Sequence, residues 1–369
     1  MRRCIVIALA FAFTADTVIS AQEWPLWRSY AARFLDDQVR VIDRDAGDRT
    51  TSEGQAYAMF FSLVANDRSR FDRLLAWSER NLAGGDLGSR LPSWLWGRAP
   101  DGEWRVLDAN SASDADVWMA YTLLEAGDAW GEPRYRQLGG ALAARIAEQE
   151  VAHIPNVGVT LTPGARGFQK DETYRLNPSY LTPQLFARLA ELLPEGPWRE
   201  MAPSLPALIE KSAPRGFAMD WMDVDSAGRV RPSELGSYDA IRVYLWVGLL
   251  HADAREREPL LRVLSGMTGA VRSSGTVPEK VRTDGRIDSA KGPVGFSAAL
   301  IPFLTALGEQ DLASAQLSRV RAELDASTGL FGKPAKYYDQ NLALFALGSL
   351  EGYFWFDAHG RLRTRWKPD

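Results

Sequence analysis

Three stretches of the chain place a carboxyl group just behind a small hydroxyl residue and just ahead of an apolar run. Residues 109–130 read Ala-Asn-Ser-Ala-Ser-Asp-Ala-Asp-Val-Trp-Met-Ala-Tyr-Thr-Leu-Leu-Glu-Ala-Gly-Asp-Ala-Trp. Ser113 reads as a helix N-cap with Asp116 three residues on, an acidic variant of the capping box, and Asp114 falls in the first turn. Residues 51–59, Thr-Ser-Glu-Gly-Gln-Ala-Tyr-Ala-Met, repeat the pattern with Ser52 as cap, Gln55 at the box position and Glu53 in the first turn. Ser237-Tyr238-Asp239-Ala240-Ile241-Arg242 opens a third such helix, with Ser237 as cap, Asp239 in the first turn and Arg242 a turn further on. Taken singly, each acid is no more than a complement to the helix dipole. Gathered in one place, they are the residue type for proton donation and withdrawal.

Gathering them requires elements that bring these helix starts to one end. Helical periodicity recurs at 24–44, 52–66, 69–82, 113–130, 133–149, 181–193, 197–212, 237–250, 254–270, 294–307, 309–326 and 337–352. Period-two alternation is confined to Val157–Leu161, so the chain reads as all-α with one small hairpin. Short turns such as Asn66-Asp67 and Gly308-Glu309 join consecutive helices into hairpins. About twelve helices in six hairpins predict a closed (α/α)6 barrel. The long connections 83–112, 150–180, 213–236, 271–293 and 327–336 each precede an even-numbered helix, which puts the long loops at one barrel end, where a ligand is expected.

Ala112-Ser113-Asp114-Ala115-Asp116, followed by Met119-Ala120 and then Ala126 and Trp130, resembles the signature of glycoside hydrolase family 8. Thr122 departs from it, standing where the family has Ser or Ala. Ser52-Glu53-Gly54-Gln55 is similar to the family segment holding the general acid, and Ser237–Arg242 to the one holding the general base. The resemblance therefore implies Glu53 as proton donor and Asp239 as base in an inverting hydrolysis, with water attacking the anomeric carbon directly. Asp114 is then the residue that holds and distorts the sugar at the cleavage point. Asp116 is expected to be structural, and Arg242 to orient a carboxylate or form an ion pair. A helix N-terminus lowers a carboxyl pKa, so a donor at Glu53 needs an opposing influence, for which the like charge of Asp114, together with a sugar excluding water overhead, is the candidate. Gly54 is expected to let a bulky ligand approach.

A glucan has apolar faces and polar edges, so its cleft needs aromatic platforms among hydrogen-bonding groups. Trp94 and Trp96 in the 83–112 connection and Tyr180 in Asn177-Pro178-Ser179-Tyr180 are the candidate platforms. Asn177, Tyr238, Arg242 and Asp339 complete the expected substrate contacts. No metal site and no cofactor are expected, because His153, His251 and His359 show no paired ligand spacing.

The chain has 369 residues, 46% hydrophobic and 24% charged, with net charge −4, enough for a large core and without the basic excess that nucleic-acid binding calls for. Residues 1–21, Met-Arg-Arg followed by an apolar stretch and small residues, read as a secretory signal peptide cleaved near Ala21. Residues 22–369 are then one catalytic domain, periplasmic or secreted, without a membrane span. The sole cysteine, Cys4, lies in the signal segment, so no disulfide supports the mature chain. The resemblance is closest to the cellulases encoded beside bacterial cellulose synthases. It implies an endo-β-1,4-glucanase acting on a cellulose chain during synthesis, with a synthase and export complex as partner. The alternatives are chitosan, lichenan or xylan as substrate, or a glucan-binding protein without catalysis.

Overall fold

A computed structural model describes residues 23–368. The signal-peptide expectation for residues 1–21 lies outside the described residues. In chain order the helices are α1 (Pro25–Phe34), α2 (Ser52–Val64), α3 (Arg68–Leu82), α4 (Ser113–Trp130), α5 (Pro133–Gln149), α6 (Pro183–Leu192), α7 (Trp198–Met201), α8 (Ser204–Lys211), α9 (Ala240–Gly248), α10 (Arg257–Val263), α11 (Gly266–Ser274), α12 (Val294–Ala306), α13 (Gln310–Ala322) and α14 (Tyr337–Leu350).

Burial sorts them into two layers. In α2 every residue from Gly54 to Val64 is buried, in α4 every residue from Ser113 to Gly127, and α9, α12 and α14 are buried almost as completely. Helices apolar on all sides belong in a core. By contrast α3 buries one side only, Phe71, Leu74, Leu75, Trp77, Ser78 and Leu82, and α5 buries Tyr135, Gly139, Leu142, Ala143 and Ile146. The inner ring runs α2, α4, α6, α9, α12, α14, each touching the next. Phe345 of α14 closes it, lying 5.4 Å from Phe60 and 4.7 Å from Phe61 of α2. Tyr57, Trp118, Trp246 and Phe345 meet along the axis at centroid distances of 5.0–5.8 Å, filling the barrel with aromatic rings from four inner helices. The chain is an (α/α)6 barrel.

Three expected helices change their bounds. The first ends at Phe34, because Asp36 Oδ1 accepts from the N–H groups of Gln38 and Arg40 and Val39 turns at φ +62°, bringing Val41 back to pair with Leu35. The segment 197–212 divides into α7 and α8 at Pro203, which has no N–H to extend a ladder. The segment 254–270 becomes α10 and α11, broken before Gly266, where the 215–216 turn presses so close that a Cβ on Gly266 would lie 2.6 Å from Arg215 O.

The long connections also hold more strand than expected. Besides the hairpin 151–154/158–161 they form ribbons 50–51/95–98/104–108, 169–170/173–176/222–225/230–232 and 235–236/280–282/287–289. These brace the end of the barrel from which α2, α4, α6, α9, α12 and α14 start. The opposite end is closed by the C-terminal hairpin 354–356/362–364. Phe354 and Phe356 pack on Phe60, Leu362 N–H donates to Glu125 Oε2, Trp366 Nε1 donates to the Leu63 and Val64 carbonyls, and Lys367 Nζ donates to those of Asp128 and Ala129. Spare carbonyls at the ends of α2 and α4 thus receive donors from the tail. Among the described residues no helix is long and apolar enough to cross a membrane.

Candidate active site

The three acids do arrive at helix starts, but the expected caps are displaced. Thr51 is the cap of α2, accepting from Gly54 N–H at 3.1 Å, and Ser52 is already inside the helix. Gln55 ties α2 outward instead, accepting from Val41 N–H and donating to Ser78 Oγ. Ser113 is the first residue of α4, and its hydroxyl donates to the Thr162 carbonyl; Asp116 therefore has no capping-box partner in it. Ser237 donates to the Glu279 carbonyl, while the start of α9 is capped from a distance by Asp220, whose Oδ1 accepts from the N–H groups of Ser237, Asp239 and Ala240. Asp220 was missed in the sequence because the residue and the helix it caps are joined only by the loop between them.

Arg242, in the first turn of α9, is the centre of the site. Its Nη1 lies 2.5 Å from Glu53 Oε2 and 2.9 Å from Asp114 Oδ2, and its Nη2 lies 2.7 Å from Asp239 Oδ1. One planar fork thus holds carboxyl groups from the starts of α2, α4 and α9. The side chains of Arg242 and Asp114 are 4% exposed, those of Glu53 and Asp239 20% and 30%. Glu53 and Asp239 are therefore the members of the set open to a ligand, with Asp114 and the guanidinium beneath them.

Burial pushes the Glu53 carboxyl up to about 7; Arg242 opposes the rise, and Asp114 and then Asp239 reinforce it. Burial thus leads, and the like charge of Asp114 expected from the sequence follows. Asp114 is also raised, again by burial first, against Arg242 and the Ala115 N–H. A carboxyl near 7 can give up a proton at neutral pH, and a neighbouring carboxylate can take one.

The remaining residues are placed as follows. The Tyr180 ring packs against the guanidinium of Arg242 at 5.5 Å and stands beside Trp221, itself stacked on Phe168. Phe168 had no distinguishing signal in the sequence. Asn177 is buried, and its Oδ1 accepts from the Ser179 N–H and hydroxyl, fixing the turn that carries Tyr180. Tyr238 is exposed, reaches Glu279 and accepts at its carbonyl from the Tyr338 hydroxyl. Trp94 is half-buried and lends its carbonyl to Ser52 N–H. Trp96 does not present a free face: Trp104 stacks on it at 5.1 Å, Trp77 meets it edge-on, and Arg40 sits 5.0 Å away. The ribbon instead exposes Trp104. Asp339 is buried and turns toward α12, accepting from Gly295 N–H at 3.2 Å; burial pushes it up to about 6. At Gly54 a Cβ would lie 2.6 Å from the Tyr337 hydroxyl, so protein packing, rather than the ligand expected from the sequence, requires the glycine.

Comparison with known proteins agrees with this arrangement. The chain is 43% identical over 348 residues to an endoglucanase of Xanthomonas axonopodis pv. citri (strain 306), covering 93% of this chain and 90% of that one. It is 41% identical over 374 residues to an endoglucanase of Escherichia coli (strain K12), covering 99% and 97%. A crystal structure of an endo-1,4-D-glucanase from Vibrio fischeri ES114 superposes with TM-score 0.88 at 37% identity, covering 93% of this chain and 99% of that one. The family profile described as Glycosyl hydrolases family 8 matches residues 1–351. With a barrel, three carboxyl groups at one end of it and relatives of this similarity along nearly its whole length, the chain belongs to family 8 of the glycosyl hydrolases.

Proposed function

We propose that the protein is an endo-β-1,4-glucanase that hydrolyses cellulose with inversion of configuration. The observation that carries this is the single guanidinium of Arg242 gathering Glu53, Asp114 and Asp239, with Glu53 held near 7 and open to the cleft. Glu53 protonates the oxygen of the leaving sugar as the glycosidic bond breaks. Asp239 takes a proton from the water that attacks the anomeric carbon from the opposite face. Asp114, beneath them, accepts from sugar hydroxyls and favours the distorted ring. Tyr180, Trp94 and the exposed Trp104 supply apolar faces for flanking sugars, Tyr238 and Arg242 fix the surrounding edges, and Asn177 holds the turn that presents Tyr180.

Proton NMR of a cello-oligosaccharide digest tests the reading, because inversion releases the α-anomer first. Glu53→Gln keeps size and hydrogen bonding without a proton to give, so kcat is expected to fall by about two orders of magnitude or more while glucan binding persists. Initial β-product, or full activity in Glu53→Gln, overturns the assignment. A ligand-bound structure is expected to show the Glu53 and Asp239 carboxyl groups roughly 6.5–9.5 Å apart, leaving room for a water.

Place and role are part of the same proposal. The Met-Arg-Arg start, apolar stretch and small residues up to Ala21 support export to the periplasm or medium, where the enzyme trims nascent cellulose beside a synthase and export complex. Cell fractionation with N-terminal sequencing checks the export: a mature chain beginning near Gln22 is expected, and an intact Met1 in the cytoplasm refutes it.

A further inference from the structure

Behind Asp114 the barrel holds two more carboxyl groups that the mechanism above leaves unused. Asp116, in the first turn of α4, and Glu150, just past the end of α5, are each 0% exposed, and their side chains face one another. Among the described residues neither makes an ion pair, and neither Asp116 oxygen nor Glu150 Oε2 meets a donor. Glu150 Oε1 accepts from Ser111 Oγ at 2.5 Å. Two carboxylates have only acceptors to offer each other, so a hydrogen bond between them requires a retained proton.

The pair stands where four segments meet. Ser111, in the linker that leads into α4, donates to Glu150 and accepts from Ala165 N–H. The Glu150 carbonyl accepts from the N–H and hydroxyl of Thr162, and the Thr162 and Pro163 carbonyls accept from the hydroxyl and N–H of Ser113. Asp114 follows Ser113 directly, so the closed loop of contacts sets where its carboxylate points. We propose that Asp116 and Glu150 are a proton-sharing pair that positions Asp114 toward the sugar. The inference rests on the reading of Asp114 as a sugar-holding residue.

Among the described residues no cation neutralises the pair. From α4 it faces Asp114, a like charge. From the 162–166 loop the guanidinium of Arg166 is exposed and turned to the Ala109 carbonyl; from α5, Glu148 is exposed and paired with Arg145; from the linker, Asp108 is exposed. Burial, helped by the Asp114 charge and opposed by the Ser111 and Asp116 hydrogen bonds, lifts Glu150 to about 8, and burial with the Glu150 contact lifts Asp116 well above the carboxylate range. Loss of the Glu150 proton leaves a buried negative charge against Asp116 and beside Asp114, and relieving it moves Ser111 and the first turn of α4 away from the site.

The test is run in the Glu53→Gln background, where nothing is hydrolysed and the titration of Glu53 is absent. Calorimetric binding of a cello-oligosaccharide is expected to weaken roughly tenfold or more between pH 7 and pH 9.5. Adding Asp116→Asn and Glu150→Gln supplies an amide N–H that never titrates, so the same pH change is expected to alter affinity by less than about twofold. Asp116→Asn alone serves if the double replacement fails to fold. Independently, infrared difference spectra of the wild type between pH 7 and 9.5 must lose a buried carboxylic-acid C=O band that Asp116→Asn and Glu150→Gln lack. Absence of that band at pH 7, or equal pH dependence with and without the amides, overturns the proposal. If Glu53→Gln binds no glucan at any pH, the glucanase reading and the positioning role fail together, while the infrared band separately decides whether the proton is shared.

Discussion

Arg242 makes the chemistry of the site a matter of balance among three acids rather than a property of any one. Its charge lowers the Glu53 pKa that burial raises, so Arg242→Met is expected to move the alkaline limb of the kcat/KM profile upward from the region of pH 7, provided the variant still folds. A limb that stays in place would mean that Glu53 is not the titrating donor. The raised Glu53 also costs stability. The folded state keeps its proton from about 4.5, the unfolded value, to about 7, so stability is lost as pH climbs through that window. Glu53→Gln escapes the loss and is expected to gain about 1–3 kcal/mol on the wild type between pH 4.5 and pH 8, measured by denaturant titration. The acids themselves were legible in the sequence because each follows a hydroxyl residue ahead of an apolar run. Asp220 and Phe168 were not, since each acts across a loop on a partner that local spacing cannot reveal.

Helix starts explain both what could be read and what could not. The runs behind Glu53 and Asp114 announced α2 and α4, yet the caps slipped to Thr51, to Ala112 with its backbone alone, and to Asp220, because the hydroxyls of Ser113 and Ser237 are spent on neighbouring carbonyls. The ribbons escaped notice because their strands are two to five residues long, too short for alternation to register. The segment 35–44 misled in the opposite sense: Val39, Val41 and Ile42 are buried as a helix stripe would be, but the backbone reverses there. Close helix contacts were likewise invisible. A Cβ on Gly248 of α9 would lie 2.3 Å from the backbone nitrogen of Phe303 in α12, so Gly248→Ala is expected to destabilise the barrel by about 3 kcal/mol. Thermal unfolding should register this with the catalytic pH profile unchanged. Gly54→Ala, which meets a tyrosine hydroxyl rather than backbone, should cost less, about 1–2 kcal/mol.

At the scale of the whole molecule, the tail beyond the last helix is structural. It contributes Phe354, Phe356 and Leu362 to the core and feeds donors to the ends of α2 and α4, although the family profile stops at residue 351. Truncation after Glu351 is expected to expose Phe60 and abolish cooperative unfolding, seen as loss of the near-ultraviolet circular dichroism signal; a truncated chain with wild-type melting would refute this. That same closure decides how a polymer can meet the enzyme. With one end stoppered and the axis filled by Trp118, Trp246 and Phe345, the barrel is a blind cup, and no strand can be threaded through it. A long glucan has to lie across the mouth and be cut wherever it happens to settle, without a free terminus being sought first. Solutions of carboxymethyl-cellulose should therefore thin early, their viscosity collapsing while few reducing ends have yet been released.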